Sequence, residues 1–133
     1  MFDWCQTMEY NLYDVIINTL PATRATKNLF NKTFFSQCSN TIFINVGRGE
    51  SVSQEALLNA LDTGHVKKAI LDVFEEEPLP RSSPLWSHAG VIITPHHASK
   101  TTTQDMETSF AQIVKAMKTN TTNDLFVDLS RGY

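Results

Sequence analysis

Glycine is scarce, and its placement excludes more than its number. The 133-residue chain has five glycines, and none of them makes the G-x-G-x-x-G spacing that cradles a pyrophosphate, because after Gly47 and Gly49 the required third position is Val52. Cysteine is scarcer still. Cys5 and Cys38 are too few for a disulfide framework and neither lies in a C-x-x-C pair, so reduced thiols in a cytoplasmic setting are expected. Positive charge is not in excess either: 11 basic against 14 acidic residues leave a net charge of −3, without the electrostatic footprint of a partner for nucleic acid or an anionic membrane surface. No run nears the roughly 18 apolar residues that a membrane span needs, and no basic segment followed by an apolar stretch opens the chain. The sequons at Asn31 and Asn120 carry no weight without an export signal.

What is present suits one globular domain, with 41% hydrophobic, 10% aromatic and 19% charged residues. Four short, nearly continuous apolar runs read as strands covered on both faces: Asp14 to Thr19, Thr41 to Val46, Ala69 to Phe74 and Val91 to Thr94. Ser51 to Thr63 reads as a helix, with Ser51-x-x-Gln54 as a capping box and Gly64 as its end. Thr102 to Lys118 reads as a longer helix whose Met106, Phe110, Ile113, Val114 and Met117 share a stripe. Two brief helical turns are expected within Lys27 to Cys38, and Thr119 to Asp124 is linker-like. This alternation predicts an α/β fold with a parallel sheet and right-handed crossovers.

Ligands of such sheets sit beyond the carboxyl ends of the strands. Those ends carry Leu20, Pro21 and Thr23, then Gly47-Arg48-Gly49, then Asp72 and Glu75 to Glu77, then Pro95-His96-His97. Arg48, on a turn between two glycines with room for a ligand near the backbone, offers a planar fork for a carboxylate. His96 can move a proton near neutral pH, and a carboxylate such as Glu77 would orient it. Asp72 inside an apolar run needs donors from the protein or a ligand. His65 and His88 fall in predicted loops and are expected to face solvent. His96 and His97 make a poor metal pair, because adjacent extended residues point to opposite faces.

These residues, in order, match a pattern. Ile44-Asn45-Val46-Gly47-Arg48-Gly49, Leu71-Asp72-Val73-Phe74-Glu75-Glu76-Glu77-Pro78-Leu79-Pro80, Ser83-Pro84-Leu85-Trp86 and Thr94-Pro95-His96 resemble the D-2-hydroxyacid dehydrogenases. Leu20-Pro21-Ala22-Thr23 with Thr26 and Leu29 looks like that family's earlier cofactor-side loop, and Arg131-Gly132-Tyr133 looks like the end of its glyoxylate/hydroxypyruvate reductase branch. The resemblance implies the C-terminal half of a Rossmann-type doubly wound parallel sheet with flanking helices. Residues 1–118 would be a partial NAD(P)-binding domain lacking the glycine-rich first unit, with Met1 to Tyr13 as a helical approach, and residues 119–133 a tail returning to a substrate domain.

By the same resemblance Arg48 binds the substrate carboxylate and keto oxygen, His96 is the acid/base, and Glu77 holds its imidazole protonated. Leu20, Thr26, Val46, Gly47, Arg48, Asp72 and His96 would line NAD or NADP, with Asp72 meeting the nicotinamide carboxamide, and no metal is implied. The expected substrate is a small 2-keto or 2-hydroxy acid. The expected partners are a second copy or a separately supplied N-terminal half, and the chain alone is expected to have little or no activity. His97 stands where the family commonly has an apolar residue; a polar contact, an influence on His96 and no role at all remain open.

Overall fold

The computed structural model describes residues 9–123 and 125–127. The expectations for Cys5, for the start of the approach helix and for the Arg131 to Tyr133 ending fall outside them. By its contacts the chain divides into two compact units after Ala98.

The first unit is a four-stranded parallel sheet in the order β1-β2-β3-β4, with β1 Val15–Asn18, β2 Thr41–Asn45, β3 Val66–Leu71 and β4 Val91–Ile93. Sequence-adjacent parallel neighbours require a crossover between each pair. The first crossover holds α1, Lys32–Phe35, and the second holds α2, Gln54–Asp62. Tyr10–Leu12 is a single 3-10 turn, not the approach helix anticipated up to Tyr13.

The pleat sorts the strands into two faces. Phe43, Val66, Ala69 and Leu71 point to the face covered by α1 and α2, where Phe30 and Phe35 pack edge-on against Phe43 at ring separations of 5.1 and 5.2 Å, and Phe34 packs against Phe30 and Phe35 at 4.8 and 5.3 Å. Leu57 and Ala60 of α2 complete this core. The other face carries the paired residues Val15, Ile42, Ile17, Ile44, Ile70 and Ile92, of which Val15, Ile17 and Ile92 are exposed.

Three expected boundaries move. β3 begins at Val66 and ends at Leu71, three residues earlier than the apolar run suggests, so Asp72 lies just past the strand. Lys67 and Lys68 interrupt the apolar pattern, yet both are exposed, and the register irregularity at Thr41/Ile42 skips Lys67 while Lys68 pairs with Ile42. α2 is capped by Ser53, whose side chain accepts from the Ala56 amide, not by Ser51, which lies fully buried in a 3-10 turn over Gly49–Ser51. Between β1 and β2 only α1 is helical. Leu29-Phe30 makes no second turn, because Phe30 bridges Val52 through Phe30 N–H to Ser51 O at 2.9 Å and Ser53 N–H to Phe30 O at 3.1 Å. Gly64 closes α2 at φ +77°, as expected. Ser53→Ala should therefore cost about 1 kcal/mol in urea unfolding. A loss below ~0.3 kcal/mol would mean that the cap is replaceable by water.

The second unit contains α3, Thr103–Thr119, opened by a full capping box between Thr102 and Asp105 and closed by Asn120 in the left-handed conformation. Asn120 thus has a capping role, as Asn31 has at α1, where it accepts from the Phe34 amide. No helix among the described residues is long and apolar enough to cross a membrane.

Candidate functional site

Because all four strands run parallel, the loops after them gather at one edge of the sheet. Leu20 follows β1, Arg48 follows β2, Asp72 and Glu77 follow β3, and His96 follows β4. Every residue expected to bind substrate or cofactor except Thr26 therefore sits within five residues of a strand's carboxyl end or, for Glu77, one residue beyond that.

His96 and Glu77 meet. The imidazole Nδ1 lies 2.8 Å from Glu77 Oε2, and the other carboxylate oxygen accepts the Phe74 amide at 2.9 Å. Partial burial alone would raise the Glu77 carboxyl, but the His96 ring, the Phe74 amide and the positive charges of His96 and Arg48 outweigh it and hold it below the ordinary glutamate value. With Nδ1 engaged by the carboxylate, Nε2 is the nitrogen left to exchange a proton with a ligand. The pair is half open to solvent, with His96 51% and Glu77 36% exposed. His96 itself is held at φ +52°, a left-handed conformation that a non-glycine residue adopts only under constraint.

Asp72 supplies that constraint. Its carboxylate, 3% exposed, accepts the Thr94 hydroxyl, the His97 amide at 3.1 Å and the Ala98 amide at 2.8 Å, which pins the chain on both sides of His96. Burial would raise this carboxyl, yet the Thr94 hydroxyl, the two amides and the charge of His97 together bring it below the usual aspartate value. The donors that its position demanded come from the chain itself, and one lone-pair direction of about four remains. His97 contributes here through its backbone, while its side chain is exposed.

Arg48 is exposed, and its Nη1 donates to Gly47 O at 2.8 Å. On the side that a Cβ would occupy, the flanking glycines face the chain's own backbone. A Cβ on Gly47 would meet Leu20 O at 2.7 Å, and one on Gly49 would meet the Phe74 carbonyl carbon at 1.9 Å. Thr26, expected to line a ligand, spends its hydroxyl inside its own loop, donating to Pro21 O at 2.6 Å and accepting from the Thr23 amide at 2.8 Å. Leu20 is half-buried and Val46 exposed at the same edge.

Beside the His96–Glu77 pair lies a cavity of about 460 Å³, walled by Phe74, Pro78, Leu79, Trp86, Ile93 and Pro95 together with Asp72, Glu77, Thr94 and His96. Trp86 donates through Nε1 to Pro80 O at 3.0 Å. Neither His65 nor His88 belongs to this edge. They are half-buried rather than solvent-facing: His65 Nδ1 bonds Cys38 O at 2.9 Å, while His88 lies 3.3 Å from Asp62 and takes the Gly90 amide on its other nitrogen. Among the described residues no cluster of three or more His, Cys, Asp or Glu could hold a metal ion.

Sequence reasoning missed the polar layer beneath this edge. Asn18 and Asn45, cross-strand partners at the ends of β1 and β2, are buried with Ser51 under the Arg48 turn. The only hint was two asparagines inside apolar runs.

The Glu77–His96 pair gives a direct pH expectation. Because the folded carboxyl lies below its unfolded value near ~4.3, its stabilisation is complete above that value and is lost as pH falls through the folded one. At this exposure Glu77→Gln should cost at most ~1 kcal/mol at neutral pH, and the gap should close in acid. Urea unfolding across that range checks it, and a pH-independent gap would assign the loss to packing.

Residues 9–98 match the family model described as the D-isomer specific 2-hydroxyacid dehydrogenase, NAD binding domain. The glyoxylate/hydroxypyruvate reductase A of Klebsiella pneumoniae subsp. pneumoniae is 40% identical over 120 residues, which cover 90% of this chain and 38% of that protein. A D-isomer specific 2-hydroxyacid dehydrogenase from Xanthobacter autotrophicus Py2, solved with NADPH and MES, superposes with a TM-score of 0.84 at 36% identity over 90% of this chain and 50% of that one. An NADPH-dependent glyoxylate/hydroxypyruvate reductase from Sinorhizobium meliloti, solved with NADP and sulfate, gives a TM-score of 0.84 at 31% identity over 93% of this chain and 41% of that one. The chain spans about two fifths to half the length of these relatives.

Proposed function

The chain belongs to the D-isomer specific 2-hydroxyacid dehydrogenase family, within its NAD-binding domain, and from that premise we propose that it is the catalytic-edge portion of an oxidoreductase that reduces a small 2-keto acid of the glyoxylate or hydroxypyruvate type to the D-2-hydroxy acid. The observation that carries the reading is the 2.8 Å contact between His96 Nδ1 and Glu77 at the same sheet edge as Arg48. Arg48 binds the substrate carboxylate through its planar fork and polarises the keto oxygen. His96, oriented through Nδ1 by Glu77, donates the Nε2 proton to the oxygen as it becomes an alkoxide.

NAD or NADP, when bound, supplies the hydride. The residues present fit its reacting end: Leu20, Val46 and Gly47 stand at the strand ends, and Asp72 keeps one lone-pair direction for a carboxamide. They do not include a pyrophosphate cradle, since no G-x-G-x-x-G spacing occurs. Little or no turnover by this chain alone is therefore expected. Glyoxylate or hydroxypyruvate with NADH or NADPH, followed by nicotinamide absorbance, tests that, and robust turnover would overturn it. Calorimetric binding of oxalate, a planar stand-in for the 2-keto acid, tests the site itself: loss of binding in both Arg48→Ala and His96→Ala supports it. Unchanged binding would favour an inert interaction module built on the same fold.

The exposed Val15 and Ile17 on the edge strand β1 support a partner for this face, either a second copy or an N-terminal half. Light scattering after size exclusion tests this, and a clean monomer that binds no such half would sink it. The unpaired Cys38 thiol, buried and raised by that burial, suits the reducing cytoplasm.

A further inference from the structure

We propose that Asn18, Asn45 and Ser51 form a buried positioning network that sets the backbone of the Arg48 turn, and through it the aim of the guanidinium. The inference rests on the reading of Arg48 as the substrate's anion partner, and it concerns residues to which that reading gives no role.

Their burial needs an account. Asn18 is 1% exposed and Asn45 and Ser51 are 0% exposed, in a layer shared with Phe43 and Leu71, where apolar side chains would be cheaper to bury. Each polar atom is nonetheless used, and no buried side-chain nitrogen or oxygen among the described residues lacks a partner. The Asn18 amide group donates to Asn45 Oδ1 at 2.8 Å and to Ser51 Oγ at 2.7 Å, which ties the three side chains together.

What leaves the network goes to the backbone of two ligand-side loops. Asn18 Oδ1 accepts the Leu20 amide at 3.0 Å, after β1. Asn45 Oδ1 accepts the Gly47 amide at 3.2 Å, after β2. The Arg48 carbonyl receives the Ser51 hydroxyl at 2.7 Å and the Asn45 amide group at 3.4 Å. A purely structural filler has no need to end on the residues before and at Arg48.

The glycine contacts close the remaining directions. Gly47 abuts the Leu20 backbone and Gly49 abuts Phe74, whose amide donates to Glu77. The turn is thus fixed from below by the three polar side chains and from both sides by backbone. The same backbone leads to the carboxylate that orients His96. Since reacting groups displaced by about 1 Å lose rate by about 100-fold, a rigid mount for an exposed arginine has a catalytic use.

The test uses the 133-residue chain and does not require turnover. Ser51→Ala removes two of the network's bonds and little volume, and Ala60→Gly in α2 serves as a control of similar stability loss. NMR follows the Arg48 Nε resonance and the hydrogen exchange of the Gly47 amide, which Ser51 does not touch. Calorimetry follows oxalate. Ser51→Ala should shift the Arg48 resonance, speed Gly47 exchange about tenfold and weaken oxalate about tenfold, while Ala60→Gly changes none of these.

Equal thermal losses in the two variants with Arg48 and Gly47 unmoved would overturn the network. Oxalate binding that is absent, or indifferent to Arg48→Ala, would defeat the functional reading instead, and the resonance and exchange data would still decide the positioning. If Ser51→Ala does not fold, Ser51→Cys, nearly the same size with a weak donor, should give the same signature in reduced degree.

Discussion

Gly49→Ala is expected to cost the fold about 3–5 kcal/mol, at the severe end for a single methyl group. The added Cβ would stand 1.9 Å from the Phe74 carbonyl carbon, 2.1 Å from its oxygen and 2.3 Å from the Glu75 nitrogen. All three are backbone atoms just past β3, so no rotamer change relieves the overlap. Either the Arg48 turn or the Phe74 to Glu77 segment must move. Gly64→Ala is the internal comparison. There the strain is conformational, φ +77° with nothing within 4 Å of the new methyl, and the expected loss is about 1 kcal/mol.

Urea unfolding of the two variants side by side checks the ranking, and equal losses would refute it. The Gly49 variant should also release Glu77 from its depressed value, because displacing the Phe74–Glu75 peptide moves the adjoining Phe74 amide that helps to hold it. An NMR titration of the Glu77 carboxyl reads that effect separately from stability.

These glycines illustrate which parts of the site could be read from the chain. Four apolar runs, three closed by Pro or Gly and the third by acids and Pro78, are enough for the parallel sheet and its common ligand edge, since strand burial writes itself as local hydrophobicity. The ordered motifs brought Arg48, Glu77 and His96 to that edge without a contact map. What escaped depended on groups far apart in sequence. Gly49 reads as local freedom, but its reason is a backbone 25 residues away. Asn18 and Ser51 meet across 33 residues, and neither has a periodic signature. β3 was misplaced because Lys67 and Lys68 are polar, although a strand position on an exposed stretch tolerates them. The Ser51-x-x-Gln54 spacing fits a capping box, whereas the Ser51 hydroxyl is committed to the Arg48 carbonyl.

Asp72→Asn should be the other large effect, about 2–4 kcal/mol at neutral pH from a nearly isosteric change. Three donors converge on this carboxylate: the Thr94 hydroxyl and the His97 amide on Oδ1, and the Ala98 amide on Oδ2. An asparagine keeps one acceptor oxygen and turns an N–H₂ toward whichever donor remains. Two donors then face each other in a site only 3% exposed, and flipping the amide merely moves the conflict.

The pH dependence distinguishes this cause from lost packing. The folded Asp72 carboxyl lies below its unfolded value near ~3.9, so its stabilisation is complete above that value and is lost as pH falls through the folded one. The gap between the two proteins should therefore be largest near neutrality and shrink in acid, where the native carboxyl is itself protonated. The same substitution loosens both flanks of His96, whose φ of +52° the three bonds enforce. Once released, His96 relaxes away from Glu77, and the Glu77 carboxyl should titrate closer to the ordinary glutamate value. Denaturant unfolding at neutral and acid pH, with that titration alongside, checks both parts. A loss under ~0.5 kcal/mol with Glu77 unmoved would mean that water reaches the three donors and that the loop keeps its shape without Asp72.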